Sequence, residues 1–140
     1  MRSWIALAAL IGIAACGRAT EPVGTTDMPV HVTAGDTVLL RLGESALIDD
    51  TVRLLFRSVE ADSRCPLNVQ CVWAGDAQIR LDAAGSTSAW QALELHSNVE
   101  PRAATFAGYR IQLVDIAPQR THPDTIQPRH YSARLAISRG

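Results

Sequence analysis

Two cysteines in the middle of the chain are the residues best placed to form a covalent link. Cys65 and Cys71 lie in the stretch Asp62 to Ala77, D-S-R-C-P-L-N-V-Q-C-V-W-A-G-D-A, with five residues between them. A disulfide would close a ring of about seven residues and stabilise the fold by roughly 2.4 kcal/mol if chain entropy alone is considered. The spacing is not a recognised zinc spacing, and the pair lacks the C-x-x-C pattern of redox sites. We therefore predict a structural disulfide.

The residues around this pair predict a stiff loop between two strands. Pro66 fixes its own backbone and restricts Cys65 before it, and Asn68 is a natural turn residue at the tip of the ring. Leu67 and Val69 flank the tip, and in so small a ring they cannot both point into the core. The indole of Trp73, with Val72 beside it, is expected to pack over the disulfide or over the end of the core.

Four histidines and several acids were considered as ligands or as acid–base groups: His31, His96, His122, His130, Asp49, Asp50, Asp62 and Asp76. No H-x-H or H-x3-H pattern occurs, and no D-x-D-x-D-G calcium loop is present. His122 and His130 bracket a proline-rich segment and could meet across a hairpin as a weak metal site. The simpler interpretation is that the histidines are exposed loop residues, so we predict no metal and no cofactor.

Ser63 is the serine whose neighbours most suggest chemistry, since Asp62 and Arg64 flank it. It has no G-x-S-x-G context and no histidine nearby in sequence. Asp62 and Ser63 are expected to hydrogen-bond local backbone groups. Arg64 is expected to form an exposed ion pair with Asp62, Glu60 or Asp76, which contributes only about 0–1 kcal/mol. No nucleophile–base pair is recognisable, so we predict that the chain is not an enzyme.

The pattern D-S-R-C-P followed by C-x-W-A-G resembles a motif of bacterial secreted proteins and lipoproteins of uncharacterised function. In this chain it runs from Asp62 through Cys65 and Cys71 to Gly75, about sixteen residues with the flanking positions. The resemblance implies an exported β-domain and no particular activity.

The N-terminus has the features of an export signal. Arg2 is followed by the apolar run Trp4 to Ala15, which is shorter than the roughly 20 residues of a membrane-spanning helix. The run ends in Ile13-Ala14-Ala15-Cys16, which resembles the lipobox of bacterial lipoproteins. That resemblance implies cleavage before Cys16, lipidation of its sulfur and attachment to the cell envelope. Gly17 after the cysteine favours the outer membrane within that family.

This interpretation divides the chain into a signal peptide (1–15), a tether (16–28) and one domain (29–140). The tether is polar and contains Gly, Pro and Thr without periodicity. Loss of Arg2 reduces the 13 basic residues by one against 14 acids, so the net charge changes from −1 to −2. The sequence contains no stripe of basic residues that would indicate a nucleic-acid partner. All basic residues are arginines, which excludes lysine-based covalent catalysis.

Alternating apolar residues predict β-strands through most of the domain, at Pro29–Thr33, Thr37–Leu42, Ala46–Ile48, Thr51–Glu60, Asp76–Ala83, Ser88–Leu95, Tyr109–Ile116 and His130–Ser138. The first two strands could pair as a hairpin around Gly35-Asp36. Ser97 to Thr105 and the proline-rich segment Pro118 to Pro128 are predicted loops. Seven to eight short strands without a helix predict an all-β antiparallel sandwich, either immunoglobulin-like or jelly-roll-like.

Two functional hypotheses follow. The first is a lipid-anchored, non-enzymatic envelope domain that binds a protein partner or has a structural role. The second is a secreted inhibitor-like module that inserts its rigid loop into another protein. Exposure of Leu67 and Val69 separates a binding loop from a purely structural one, and the expected burial of Trp73 favours the structural one. The candidate binding residues are Arg64, Pro66, Leu67, Asn68, Val69, Gln70 and Trp73.

Overall fold

The computed structural model describes residues 28–140. The predicted signal peptide, Cys16 and all of the predicted tether except Met28 lie outside this range. Nine strands and one turn of 3-10 helix form within it: β1 (Val30–Val32), β2 (Thr37–Arg41), β3 (Ser45–Ile48), β4 (Val52–Asp62), β5 (Ala77–Gly85), β6 (Gln91–His96), β7 (Ala103–Phe106), β8 (Tyr109–Ala117), the 3-10 turn Pro128–His130 and β9 (Ser132–Arg139).

The strands form two sheets that pack against each other, which confirms the predicted β-sandwich. One sheet has the order β1-β3-β4-β5-β6 and the other the order β2-β9-β8-β7. Every neighbouring pair is antiparallel except β1 and β3, which run parallel. Within residues 28–140, no helix has the length and apolar character that a membrane span requires.

The core forms where the apolar sides of the alternating strands meet. Val52, Leu54 and Phe56 of β4 are buried while Arg53 and Arg57 are exposed, as the alternation predicts. Strand β9 follows the same rule. Strand β5 follows it up to Leu81 and is then buried on both faces as far as Ala84, and β8 follows it up to a register shift after Leu113. Burial of each large apolar side chain contributes roughly 1.5–3 kcal/mol. The largest fully buried side chains are Phe56, Leu40, Ile48, Leu54, Ile79, Leu81, Leu95, Ile111, Leu113, Ile116, Leu135 and Ile137.

The predicted hairpin between the first two strands is wrong. The chain changes sheets at its turn: the Gly35 amide donates to the Ile137 carbonyl (2.8 Å), and the Ile137 amide donates to the Asp36 carbonyl (2.9 Å). Strand β1 instead pairs with β3 and β2 with β9. This arrangement buries Val38 and Leu40 in one sheet and Val32 in the other.

Several boundaries also differ from the sequence prediction, among them the end of β4 at Asp62 rather than Glu60 and the start of β6 at Gln91 rather than Ser88. The segment predicted as a loop from Ser97 to Thr105 contains the start of β7, which pairs with β8. His130 lies in the 3-10 turn rather than in the last strand. Strand β5 continues to Gly85, so its turn begins later than predicted.

Two connections meet at one end of the sandwich. The first joins β4 to β5 within one sheet, and its residues 62–76 are called the clipped loop here. The second joins β8 to β9 within the other sheet, and its residues 118–128 are called the proline-rich loop. Tyr131 is buried between them, and its hydroxyl donates to the Asp62 carboxylate at 2.9 Å. Every predicted binding residue lies at this end.

Candidate functional site

The clipped loop continues the antiparallel pairing of β4 and β5 before it opens into the disulfide ring. The Ser63 amide donates to the Asp76 carbonyl (2.7 Å), and the Cys65 amide donates to the Ala74 carbonyl (2.9 Å). Cys65 and Cys71 are bonded, with their Cα atoms 6.0 Å apart, which confirms the predicted disulfide. The Val69 amide donates to the Pro66 carbonyl (3.1 Å), so the ring tip is a tight turn.

An ion pair beneath this loop is far more buried than the sequence predicts. The Arg64 guanidinium donates from Nε and Nη2 to the two carboxylate oxygens of Asp62, at 2.8 and 2.7 Å. Only 13% of the Arg64 side chain and 8% of the Asp62 side chain are exposed. Of the three acids considered as partners, Asp62 is the one that pairs with Arg64, but the expectation of an exposed, weak pair is wrong. Removal of one partner from a buried ion pair of this kind strongly destabilises the fold, because the other charge is left buried without a counter-charge.

The electrostatics of this pair follow from its surroundings. Burial alone would raise the pKa of Asp62, but hydrogen bonds from Arg64 and Tyr131 and the charge of Arg64 hold it below its ordinary value. Hydrogen bonding to Asp62 raises the pKa of Arg64 despite burial. Burial and the hydrogen bond to Asp62 raise the pKa of Tyr131 to about 12. All three groups therefore keep one charge state across the physiological range.

Arginines also fasten the two loops to each other. Arg64 Nη1 donates to the Ile116 carbonyl (2.6 Å), and its Nη2 donates to the Pro118 carbonyl (2.9 Å). Arg120 Nη1 donates to the Asp62 carbonyl (2.9 Å), while its Nη2 donates to the Pro123 carbonyl (2.6 Å). These guanidinium groups donate hydrogen bonds to loop carbonyls that would otherwise have to accept from water.

Two further hydrogen bonds join the ring itself to the proline-rich loop. The Leu67 amide donates to the Arg120 carbonyl (2.8 Å), and Asn68 Nδ2 donates to the Thr121 carbonyl (3.2 Å). Arg64 and Asn68, both predicted to contact a partner, thus hold the loops in place. Pro66 is half-buried and Gln70 is exposed.

Four apolar side chains of the clipped loop face solvent. Exposure is 91% for Val72, 81% for Trp73, 63% for Leu67 and 48% for Val69. The expected packing of the Trp73 indole over the disulfide or the end of the core is therefore wrong. The buried ring of Tyr131 and the partly buried Ile126 already cover the core at this end. The exposed tryptophan removes the sequence-based reason for a purely structural loop.

A second polar cluster lies at the base of the clipped loop, and the sequence analysis missed it. The Asp76 carboxylate accepts from the Ser97 hydroxyl (3.0 Å) and the Asn98 amide (2.8 Å), and it bonds His96 Nδ1 at 2.5 Å. His96 is thus largely buried rather than an exposed loop residue. Continuing the β5–β6 register past Gln78↔His96 places Asp76 opposite Asn98, a signal that the hairpin pattern could have provided.

The members of this cluster are those of a serine hydrolase triad, but their order differs. The Ser97 hydroxyl donates to the carboxylate of Asp76 rather than to the imidazole of His96. The second ring nitrogen of His96 lies 3.3 Å from a Glu94 carboxylate oxygen. A base that activates serine must accept the hydroxyl proton itself, so this geometry positions the loop rather than a nucleophile.

The pKa values of both His96 and Asp76 are shifted by their contacts in this cluster. The hydrogen bond to Asp76 raises the pKa of His96 against the opposing effect of burial. Burial would raise the pKa of Asp76, but hydrogen bonds from His96, Asn98 and Ser97 lower it. The pair therefore stays charged to a higher pH than a free histidine would allow.

The remaining candidate ligands lie apart. His31 pairs with Asp50 at 2.9 Å in an exposed position, while Asp49 accepts from the Tyr109 hydroxyl (2.9 Å) and Arg139 (2.8 Å). His122 and His130 line one shallow surface depression beside the proline-rich loop. No group of three or more His, Cys, Asp or Glu side chains arranged for a metal occurs in the described part of the chain.

Beside the clipped loop lies a cavity of about 260 Å³. Its walls come from the clipped loop, from the β6–β7 connection, from the end of β8 and from the start of the proline-rich loop. Comparison of the sequence with protein-family models, and of the chain with curated proteins and solved structures, finds no match.

Proposed function

We propose that this chain is a lipid-anchored envelope protein whose β-domain binds a protein partner through the tip of the clipped loop. The observation that carries the proposal is the exposure of Leu67, Val69, Val72 and Trp73 on one loop. These side chains lie on a backbone that a disulfide and bonds to a second loop hold in place.

The physics of association supports this role. Binding is weakened by the free energy needed to order a flexible segment. This cost is smaller for a loop that is already fixed at its base and at its tip. Tryptophan is among the side chains that dominate binding energy when they become buried at the centre of an interface. Trp73 joins a large apolar surface to a hydrogen-bond donor, so it suits this central position.

The anchor belongs to the same proposal. We propose that residues 1–15 direct export and are removed, and that Cys16 carries the lipid that attaches the protein to the envelope, preferentially at the outer membrane. Two or more acyl chains hold a protein stably, because each buried CH2 contributes about 0.8 kcal/mol. A partner in the envelope or outside the cell would then meet the domain at the end of its tether.

The inhibitor-like alternative is narrower, because it requires the ring to enter the cleft of a target enzyme. A substrate-like inhibitor needs an extended segment with free backbone groups. Here the Leu67 amide is bonded to the Arg120 carbonyl, and Pro66 to Val69 form a turn. These contacts favour docking of side chains onto a partner surface over insertion of the backbone into a cleft.

Photo-crosslinking in living cells tests the proposal. A photoreactive amino acid at position 72 of the full-length protein is expected to give a discrete protein adduct. Trp73→Ala in the same protein should strongly reduce that adduct. Trp90→Ala is the matched control, since Trp90 is also exposed, at 51%, but lies before β6.

A stability measurement separates binding from packing. Leu67→Asp with Val69→Asp should abolish the adduct and leave the melting temperature nearly unchanged, because both side chains are exposed. Loss of the adduct accompanied by a large fall in melting temperature would return the loop to a structural role. Adducts of equal yield in the Trp73→Ala and Trp90→Ala proteins would also refute the proposal.

A further inference from the structure

The cavity beside the clipped loop is lined by an unusual concentration of arginines. Arg64, Arg102 and Arg120 contribute to its wall, with Asp115 as the single carboxylate. The charge of Arg64 is already matched by Asp62. The remaining charges around the cavity are the positive charges of Arg102 and Arg120 and the negative charge of Asp115. Their sum is about one positive charge, which suits a monoanion better than a dianion.

Of the three cavity arginines, Arg102 is the one whose side chain donates no hydrogen bond to a described residue, since Arg64 and Arg120 both donate to loop carbonyls. Its Nε is buried and has no hydrogen-bond partner within residues 28–140. Over the same range, no carboxylate lies within 4.0 Å of its guanidinium, although the Glu100 carboxylate accepts from its backbone amide at 2.9 Å. Because Nε is closed off, a ligand reaches Arg102 through Nη1 and Nη2, for which the described residues supply no hydrogen-bond acceptor either. An oxyanion in the cavity would supply that acceptor.

The backbone around Arg102 is fixed, and the burial of Nε holds the base of the guanidinium against the protein. Its carbonyl accepts from the Leu113 amide (2.9 Å), which extends the β7–β8 pairing by one step. The carbonyl of Pro101, next to it, accepts from the His96 amide (2.9 Å). Sites that recognise carboxylates use such fixed forks, since little freedom is lost on binding.

The other walls of the cavity define the rest of the ligand. Leu67, Ala74 and Val114 supply apolar surface beside the arginines. The volume of about 260 Å³ lies just below the usual 300–1,000 Å³ range of small-molecule sites, so it fits a small ligand.

We propose that this cavity binds a small organic carboxylate, with the carboxylate on Arg102 and a short apolar body against Leu67 and Val114. The carboxylate could come from a free acid or from an acidic side chain of a partner, because the same chemistry serves both. The site shares Leu67 with the loop tip, but binding of a free acid does not depend on the protein-binding role of the loop.

Saturation-transfer NMR with the full-length chain in lipid nanodiscs tests the site, with isobutyrate as the probe. Isobutanol has a similar carbon skeleton without the charge. Inorganic phosphate, a multiply charged anion without carbon-bound protons, is added as a competitor, and its binding is measured by the loss of the isobutyrate signal. Isobutyrate should bind more tightly than either comparator, and empty nanodiscs measure partitioning into lipid. Equal affinity for isobutyrate and isobutanol, or tighter binding of phosphate, would overturn the assignment.

Variants locate the binding. Arg102→Gln should weaken isobutyrate binding about tenfold or more, whereas Arg110→Gln, on the exposed side of β8, should leave it unchanged. Asp115→Asn removes the opposing charge and should tighten binding about two- to threefold. Because Asp115→Asn tests the site by a gain, it stays informative if Arg102→Gln folds poorly. No change in either variant would refute the proposal.

An acidic peptide distinguishes the two sources of carboxylate. A peptide whose only acid is one glutamate, with an amidated C-terminus, should compete with isobutyrate if a partner side chain can occupy the cavity. Competition supports a partner-derived carboxylate, and failure to compete while isobutyrate still binds supports a free acid. Either result leaves the photo-crosslinking test of the loop tip separate, since that test reads Trp73.

Discussion

The backbone of Gly75 lies directly against the carbonyl of Ser63. A Cβ at position 75 would lie 1.9 Å from the Ser63 oxygen and 2.6 Å from its carbon. Gly75 also has a φ of +70°, a conformation that side chains disfavour. The two strands of the loop stem therefore approach each other more closely than any residue but glycine permits, and this contact explains the glycine in the W-A-G sequence.

We predict that Gly75→Ala destabilises the domain by about 3 kcal/mol or more, because it adds a backbone clash to an unfavourable φ. Gly108→Ala is the matched control, since Gly108 has a φ of +80° but open space around it. The control should lose only about 1 kcal/mol. Urea denaturation measures both, and equal losses would show that the clash relaxes without consequence.

Removal of the Asp62 charge should be more damaging than removal of its hydrogen bond from Tyr131. Asp62→Asn leaves the buried Arg64 guanidinium without its counter-charge, so we expect a loss of about 3 kcal/mol. Tyr131→Phe removes one hydrogen bond and should lose about 1 kcal/mol. In a double-mutant cycle, Asp62→Asn combined with Arg64→Met should be less destabilising than the two single changes added. Additive losses would show that the pair is not coupled.

The His96–Asp76 pair should make stability depend on pH. The folded pKa of His96 is raised, so its contribution is complete below the unfolded value of about 6.5 and is lost as pH rises through the folded pKa. We predict that His96→Gln flattens the decline in unfolding free energy across that interval. In Asp76→Asn, the His96 ring signals should titrate at lower pH by NMR. An unchanged pH slope in His96→Gln would contradict this assignment.

Processing at the N-terminus gives a separate prediction. Cys16→Ser should prevent labelling of the protein by radioactive palmitate and leave the precursor uncleaved, because the sulfur is the attachment point in the lipobox interpretation. Cys65→Ser with Cys71→Ser is the control and should keep the label, since those sulfurs are bonded to each other. Equal labelling of Cys16→Ser and the parent would exclude a lipid at this cysteine.

The sequence predicts most of the sandwich because burial follows a period of two. Strand β4 shows why: Val52, Leu54 and Phe56 are buried in alternation. The pairing shifts after Phe56 and again after Val59. Those shifts bring Val59 partly against the core, although the alternation puts it on the other side. Strand β7 was missed because its four residues, Ala-Ala-Thr-Phe, carry too short a pattern to separate them from a loop.

The site was harder to predict, since its contacts join residues far apart in sequence. The disulfide and the Asp62–Arg64 pair are local, and both were expected. Nothing in the sequence links Arg120 to the Asp62 carbonyl 58 residues away. The exposure of Trp73 was mispredicted because the average burial of tryptophan in proteins says little about one particular loop. The base of this loop is already covered by Tyr131 and by polar contacts.

The final prediction concerns Arg120, which joins the two loops. Arg120→Ala removes the donors to the Asp62 and Pro123 carbonyls, so the proline-rich loop should move away from the ring more often. The Leu67 amide, bonded to the backbone carbonyl of residue 120 at 2.8 Å, reports this opening directly. We expect its hydrogen exchange to become about tenfold faster, because roughly 1.4 kcal/mol of protection is lost.

Arg129→Ala, in the exposed 3-10 turn, should leave that rate unchanged. Exchange at Leu81, in the centre of the β4–β5 ladder, should stay the same in both variants. Unchanged protection of Leu67 in Arg120→Ala would mean that the ring keeps its position without this arginine. The rigidity that the proposed partner binding requires would then rest on the disulfide, on the Asp62–Arg64 pair and on the hydrogen bonds from Leu67 and Asn68 to the proline-rich loop.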